Sequence, residues 1–186
     1  THPCPVLVVS VSVQQGSSNA FKLLEAGALD IVAKPSLADT RIANGIANEL
    51  LSKIRILAGV KVFKRNKLQA SAALASAKPP PPPAGAFVKS RLHMVVIGAS
   101  TGGPQALQTI LSSLPSNYPV PIVCVQHISD GFLDNLVSWL AANSALKCQL
   151  AQAGETPQAG TVYFPQERTH LKFDTYGRFV MSLDPP

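Results

Sequence analysis

The sequence predicts an α/β protein with parallel sheets, because strand-like and helix-like segments alternate along most of the chain. The clearest unit is an apolar run at residues 95–97, a helix-like segment at 105–114 and a second apolar run at 122–126. Both runs are rich in β-branched residues, which is typical of buried parallel strands. Functional side chains of such sheets are expected at the carboxyl ends of the strands.

A glycine-rich turn with a single serine follows the first of these strands. It reads GASTGGP from Gly98 to Pro104, and it places Ser100 beside the amino-terminal end of the next helix. Backbone N–H groups point outward there and the helix dipole is positive. A hydroxyl in this position can attack a carbonyl carbon while neighbouring N–H groups bind the oxyanion. The second strand ends on His127, so two neighbouring strand ends would supply a nucleophile and a base.

The serine turn also fits two other patterns, each less well. Gly98, Ser100 and Gly103 have the spacing of a dinucleotide-binding fingerprint, but serine replaces the middle glycine and no acidic residue ends the second strand. The turn equally matches the G-x-S-x-G elbow of α/β-hydrolases, whose catalytic histidine lies far downstream. In this chain a histidine stands at the end of the very next strand.

The stretch from Val95 to Leu171 resembles the catalytic domain of CheB-type protein-glutamate methylesterases. The matching segments are IGASTGGP, VQHI followed by GF, AGE, GTVY and HL, in the family's order. In that family the serine of the GASTGG turn is the nucleophile and the histidine of the QH pair is the base, which implies Ser100 and His127 here. We expect Thr101 and the backbone of Gly102 and Gly103 to shape the oxyanion and substrate-binding region.

The resemblance implies an activity and its partners. The family consists of chemotaxis response regulators that hydrolyse glutamate methyl esters on chemoreceptors, and some members also deamidate receptor glutamines. The esterase reaction needs no cofactor. The expected partners are methylated chemoreceptors and the histidine kinase of a two-component phosphorelay, and the expected location is the cytoplasm.

The beginning of the chain resembles the last third of a receiver domain of the flavodoxin-like class. A strand at 6–10, a helix at 18–26 and a strand at 30–33 occur in the receiver order. By this resemblance Ser10 is the hydroxyl that switches toward a phosphoryl group, and Lys34 pairs with the phosphorylated pocket. The intact receiver is expected to bind Mg²⁺ through acidic residues that lie upstream of this chain.

These features predict three regions. Residues 1–60 are the carboxyl-terminal part of a receiver domain, 61–91 a linker, and 92–186 the amino-terminal part of a doubly wound parallel-sheet methylesterase domain. Five consecutive prolines at 79–83 predict a stiff polyproline II spacer within the linker.

Further elements are expected inside the two outer regions. Apolar residues at helical spacing predict two helices. The first spans 37–61 with an apolar stripe of Ile42, Ile46, Leu50, Ile54 and Leu57, and the second spans 132–142 with a stripe of Leu133, Leu136, Val137 and Leu140. Residues 146–151 are expected to form a strand. Segments 161–164 and 170–173 are expected to be short strands that form a hairpin with each other.

Composition excludes several classes of protein. The chain has 186 residues, of which 46% are hydrophobic and 14% charged, as in globular proteins. No apolar run is long enough to span a bilayer, so membrane insertion is not expected. The net charge is +6, but no nucleic-acid-binding motif accompanies it. Three widely spaced cysteines predict neither a zinc site nor a disulfide framework.

The expected catalytic apparatus is incomplete in this chain. A catalytic triad needs an acid to orient the histidine, and in the family that aspartate lies beyond residue 186. Asp130 and Asp134 are close to His127 in sequence, but they are expected in a turn and an exposed first helical turn. The phosphate-accepting aspartate of the receiver likewise lies upstream. This chain alone is therefore expected to be inactive, and the alternative hypothesis is a non-enzymatic, receiver-like fragment that binds a partner.

Overall fold

The computed structural model describes residues 2–10, 19–34, 40–62 and 93–183. Most of the expected linker at 61–91, including its proline run, lies outside these residues. The three expected domain ranges therefore stay predictions.

The amino-terminal segment forms a small parallel sheet with two helices. Its elements are β1 (Leu7–Ser10), α1 (Asn19–Glu25), β2 (Asp30–Ala33) and α2 (Thr40–Ala58). β1 and β2 pair in parallel, with Ser10 opposite Ala33 at their carboxyl ends. All four residues of β2 are buried and three of them are apolar, which is the pattern of a strand covered on both faces.

The second half of the described chain contains a four-stranded parallel sheet and an antiparallel pair of strands. Its elements are β3 (Val95–Ala99), α3 (Gly103–Ser112), β4 (Ile122–Gln126), α4 (Leu133–Ala142), β5 (Lys147–Leu150), β6 (Thr161–Phe164), β7 (His170–Phe173) and β8 (Phe179–Ser182). The strands of the large sheet lie in the order β3-β4-β6-β5, all parallel. The expected α/β class with a parallel sheet is confirmed.

Helices α3 and α4 cover the same face of the large sheet. Leu111 of α3 and Leu136 of α4 belong to one buried cluster with Cys124 of β4 and Val162 of β6. The chain moves across the sheet in one direction from β3 to β4 and from β4 to β5, and right-handed crossovers then place both helices on one side. Among the described helices, none is long and apolar enough to cross a membrane.

The opposite face of the large sheet is partly covered by the β7–β8 pair. Val123 and Tyr163 point to this face and form a second buried cluster with Phe179 of β8. The rings of Tyr163 and Phe179 pack edge to face, with their centroids 4.9 Å apart. A doubly wound sheet, as expected from the sequence, has helices on both faces. Within residues 93–183 the second face is instead partly covered by the antiparallel strands β7 and β8.

The predicted hairpin of residues 161–164 with 170–173 is wrong. Residues 161–164 form β6, which lies between β4 and β5 in the sheet, and β7 pairs instead with β8. All four residues of β6 are buried, whereas β7 is mostly exposed. A fully buried strand is stabilised by neighbours on both edges, so β6 pairs with the large sheet.

Helix α1 packs against the helices of the second half. Phe21 and Leu24 of α1 are buried in the same cluster as Leu107 and Trp139. The rings of Phe21 and Trp139 stack with centroids 5.5 Å apart, and the indole N–H of Trp139 donates to Glu25 at 2.7 Å. Burying a side chain as large as Phe21 is worth about 1.5–3 kcal/mol, so α1 is held firmly on this surface.

Helix α2 buries a lysine that the apolar periodicity did not indicate. Lys53 is 3% exposed, whereas Ile54, part of the expected apolar stripe, is 49% exposed. The ammonium group of Lys53 lies 3.0 Å from Oδ2 of Asp30 and 3.4 Å from Oε1 of Glu49. It also donates to the carbonyl of Ile31 at 3.0 Å. A buried charge needs such partners, and here they attach α2 to β2.

Candidate active site

Ser100 and His127 meet at the carboxyl end of the large sheet. β3 and β4 pair with Ala99 opposite Gln126, so the next residue of each strand emerges at the same edge. Oγ of Ser100 lies 3.3 Å from Nδ1 of His127. The backbone N–H of His127 donates to the carbonyl of Ala99 at 2.9 Å. This arrangement is that of a nucleophile beside a base, and it is compatible with acyl transfer.

The turn after Ser100 requires glycine at two positions. Gly102 has φ 76°, a left-handed conformation that glycine adopts without steric cost. Gly103 starts α3, and a Cβ atom there would collide with the side-chain amide of Gln126 and lie 2.9 Å from Cβ of Ala99. The first glycine therefore makes the turn, and the second lets the Gln126 side chain pass.

The backbone N–H groups of Thr101, Gly102 and Gly103, which were expected to shape the oxyanion region, differ in whether they are already hydrogen-bonded. The N–H of Gly103 donates to the carbonyl of Ser100 at 2.7 Å, so it is already used inside the turn. Within the described part of the chain, the N–H groups of Thr101 and Gly102 have no such acceptor. These two N–H groups follow Ser100 directly, just before the start of α3, and they could bind an oxyanion.

Gln126 contacts both sides of the site, a role that the sequence alone did not indicate. Its amide Nε2 donates to the carbonyl of Ser100 and to the carbonyl of His127, each at 2.8 Å. The residue is only 9% exposed. The signal in the sequence was its position immediately before His127 at the end of a buried strand.

Helix α2 forms one wall of a cavity at the site. The cavity has a volume of about 340 Å³ and is lined by Ser100, Thr101, His127, Gly45, Glu49, Ser52, Lys53 and Ile56. Oε1 of Glu49 accepts a hydrogen bond of 2.7 Å from the hydroxyl of Ser129, two residues after His127. Glu49 of α2 thus connects the amino-terminal segment to the loop that follows His127.

Asp130 and Asp134, the acidic residues near His127 in sequence, do not hydrogen-bond to its side chain. Asp130 forms an exposed ion pair with Arg168, whose Nε lies 3.1 Å from Oδ2 of Asp130. Asp134 is exposed in the first turn of α4. In the part of the chain that the structure describes, no carboxylate hydrogen-bonds to His127, and His170 is exposed at the start of β7.

The loop between β6 and β7 fixes the segment that follows His127. Oε1 of Glu167 accepts from the backbone N–H of Gly131 at 2.7 Å and of Leu133 at 3.4 Å. It thereby caps α4, whose own N-cap residue Phe132 makes no side-chain cap bond. Arg168 is held at φ 59°, an uncommon conformation for a residue other than glycine. The sequence did not indicate this role of Glu167, because no local pattern links it to α4.

The expected receiver switch residues lie together at the end of the small sheet. Ser10 ends β1, and the backbone N–H of Lys34 donates to its carbonyl at 2.8 Å. Their roles stay predictions. Among the described residues, no group of three or more His, Cys, Asp or Glu side chains could hold a metal ion. The Mg²⁺ expected in the intact receiver stays a prediction.

Cys124, which is buried, and Cys148, which is partly buried, do not compete with Ser100 as nucleophiles. Burial, together with a smaller effect of the nearby Cys148, raises the pKa of Cys124 to about 12. Burial also raises the pKa of Cys148 to about 11. Only the thiolate is a strong nucleophile, so both thiols are unreactive at neutral pH.

The parallel sheet with a serine–histidine pair at adjacent strand ends defines the class of a candidate ester hydrolase. The family model described as CheB methylesterase matches residues 95–185. This part of the chain belongs to the CheB methylesterase family, as the motifs of the sequence predicted.

Curated relatives match almost the entire chain. A "Protein-glutamate methylesterase/protein-glutamine glutaminase" of Nitrosospira multiformis is 35% identical over 187 residues, covering 100% of this chain and 52% of the relative. A second protein of this name, from Cupriavidus metallidurans, is 36% identical and covers 98% of this chain and 51% of its own length. The chain thus spans about half the length of the curated relatives it matches.

A solved structure is also similar. The crystal structure of the Thermotoga maritima CheB methylesterase catalytic domain is 38% identical, with a TM-score of 0.47, and the match covers 50% of this chain and 51% of that chain.

Proposed function

We propose that the full-length protein containing this chain is a chemotaxis protein-glutamate methylesterase. It acts in the cytoplasm on methylated chemoreceptors, with Ser100 as nucleophile and His127 as base. The observation that carries the proposal is the 3.3 Å contact between Ser100 Oγ and His127 Nδ1 at two adjacent strand ends. The names of the relatives that match the chain support the choice of substrate.

The reaction proceeds by acyl transfer through Ser100. Its Oγ attacks the carbonyl carbon of the ester while Nδ1 of His127 accepts the hydroxyl proton. The N–H groups of Thr101 and Gly102 stabilise the oxyanion. The bond to the methoxy oxygen then breaks, and His127 donates its proton so that methanol leaves.

Water completes the cycle. It attacks the acyl-enzyme while His127 removes a proton, and the same proton returns to Oγ as the glutamate carboxylate is released. With a glutamine substrate the sequence is identical, except that ammonia replaces methanol as the leaving group. Deamidation is therefore proposed as a second activity of the same site.

Regulation is proposed to act through helix α2. The cavity of about 340 Å³ has room for an ester side chain, whereas a receptor helix is about 10–12 Å across. A protein substrate therefore requires α2 to move away from Ser100 and His127. Phosphorylation of the receiver by the histidine kinase, sensed by Ser10 and Lys34, is proposed to cause this movement.

Methanol release tests the proposal. Wild-type full-length protein incubated with methylated receptor membranes should release methanol, and Ser100→Ala should reduce the rate at least about 10³-fold because the nucleophile is lost. Ser138→Ala is the matched control, since Ser138 is exposed on α4 away from the site. Methanol release by Ser100→Ala at the wild-type rate would contradict the assignment of the nucleophile.

A further inference from the structure

We infer that Gln126 is a positioning residue that fixes the distance between Ser100 and His127. It contacts the backbone on both sides of the site and does not touch the reacting atoms, so it would act through the two residues it holds. The effect of Gln126 on ester hydrolysis rests on the proposed function. Its effect on the reactivity of Ser100 can be measured without a methyl ester.

The geometry of the amide explains how one side chain can hold two turns. The two N–H bonds of a carboxamide lie in one plane in fixed directions. One reaches the carbonyl of Ser100 and the other the carbonyl of His127, both at 2.8 Å. The carbonyl of Ser100 also accepts from the N–H of Gly103 at 2.7 Å. The backbones that carry nucleophile and base are therefore tied to one rigid group.

Packing alone does not account for an amide at this position. Oε1 of Gln126 is buried and has no hydrogen-bond partner among the described residues. A buried acceptor without a partner is unfavourable, whereas methionine would occupy similar space with no such atom. The amide is explained by its two donated hydrogen bonds, since these are what an apolar residue could not supply.

Gly103 is the counterpart of Gln126 in the serine turn. A Cβ atom at Gly103 would collide with Oε1 of Gln126 and lie 2.8 Å from its Cδ. The second glycine of the turn therefore leaves the space in which the amide reaches both carbonyls. A substitution at either position should disturb the same hydrogen bonds.

The test compares the rate at which a fluorophosphonate probe labels Ser100 in full-length variants. Gln126→Met removes both donors at similar volume, and labelling should slow about 100-fold, because a misplacement of about 1 Å can cost this factor. Turnover of a methylated receptor peptide should fall in kcat by a similar factor, with KM within about threefold. Gln149→Met is the matched control, because Gln149 lies on β5 and donates to Glu155 at 2.8 Å; it should label at the wild-type rate.

A second variant covers the case in which Gln126→Met does not fold. Gly103→Ala keeps the amide but displaces it, and it should also slow the labelling of Ser100 by at least tenfold. Wild-type labelling rates in a folded Gln126→Met or Gly103→Ala protein would overturn the inference. Wild-type protein that labels at Ser100 but releases no methanol would refute the proposed function and leave the effect of Gln126 on labelling as the test of positioning.

Discussion

Replacing Lys53 by methionine should destabilise the protein by about 3–5 kcal/mol, the range measured when one partner of a buried ion pair is removed. Lys53 and Asp30 are 3% and 4% exposed, and their charged atoms lie 3.0 Å apart. At an effective dielectric constant of about 20, this separation corresponds to roughly 5 kcal/mol of attraction. Most of that attraction offsets desolvation of the two charges. Without the lysine, the buried charge of Asp30 loses that compensation.

Urea unfolding of the full-length protein measures this loss. With a slope of about 2 kcal/mol per molar urea, the midpoint of the transition that involves α2 should fall by roughly 2 M. Arg55→Met on the same helix is the control, because Arg55 is exposed and its loss should change stability by at most about 0.5 kcal/mol. Lys53→Met combined with Asp30→Asn should recover part of the loss, since the more buried carboxylate is then neutral and only the partly exposed Glu49 has lost its cation.

A loss below about 1 kcal/mol for Lys53→Met would refute this reasoning, because that is the value of an exposed pair. A loss of the expected size with no recovery in the double variant would assign the effect to packing of the lysine stem. The same variant bears on regulation. If α2 restricts the site, its weakened attachment should raise the rate of methanol release from intact receptors without phosphorylation.

Two further predictions follow from burial. Iodoacetamide at pH 8 should modify the exposed Cys4 well before Cys124, because burial raises the pKa of Cys124 to about 12; equal rates in peptide mass spectra would contradict this. Leu136→Ala should cost about 2–5 kcal/mol in urea unfolding, because Leu136 is fully buried between α4 and the sheet; a cost near zero would mean that this core is loosely packed.

The sequence predicted the parts of the fold that depend on local patterns. The stripe on α4 formed by Leu133, Leu136, Val137 and Leu140 is buried as expected. The meeting of Ser100 and His127 followed from two consecutive parallel strands. Ser100 and His127 each follow the last residue of a strand, and these two strands are neighbours in the sheet. Their proximity could therefore be predicted without knowing how distant segments pack.

The features that the sequence did not reveal depend on distant contacts. β6 inserts between β4 and β5, and its sequence, TVYF, gives no indication of which strands it pairs with. Lys53 is buried because Asp30 and Glu49 surround it, which helical periodicity of apolar residues could not show. Gln126 and Glu167 act on backbone groups of other segments, so their roles became visible only once these segments were placed in space.

The most direct test of the account is to map the residue that a fluorophosphonate probe modifies in the full-length protein. We expect a single adduct on the peptide that contains Ser100, and we expect it to disappear in His127→Gln because the serine then lacks its base. An adduct elsewhere, or equal labelling of Ser100 without His127, would contradict the claim that these two residues form the catalytic pair.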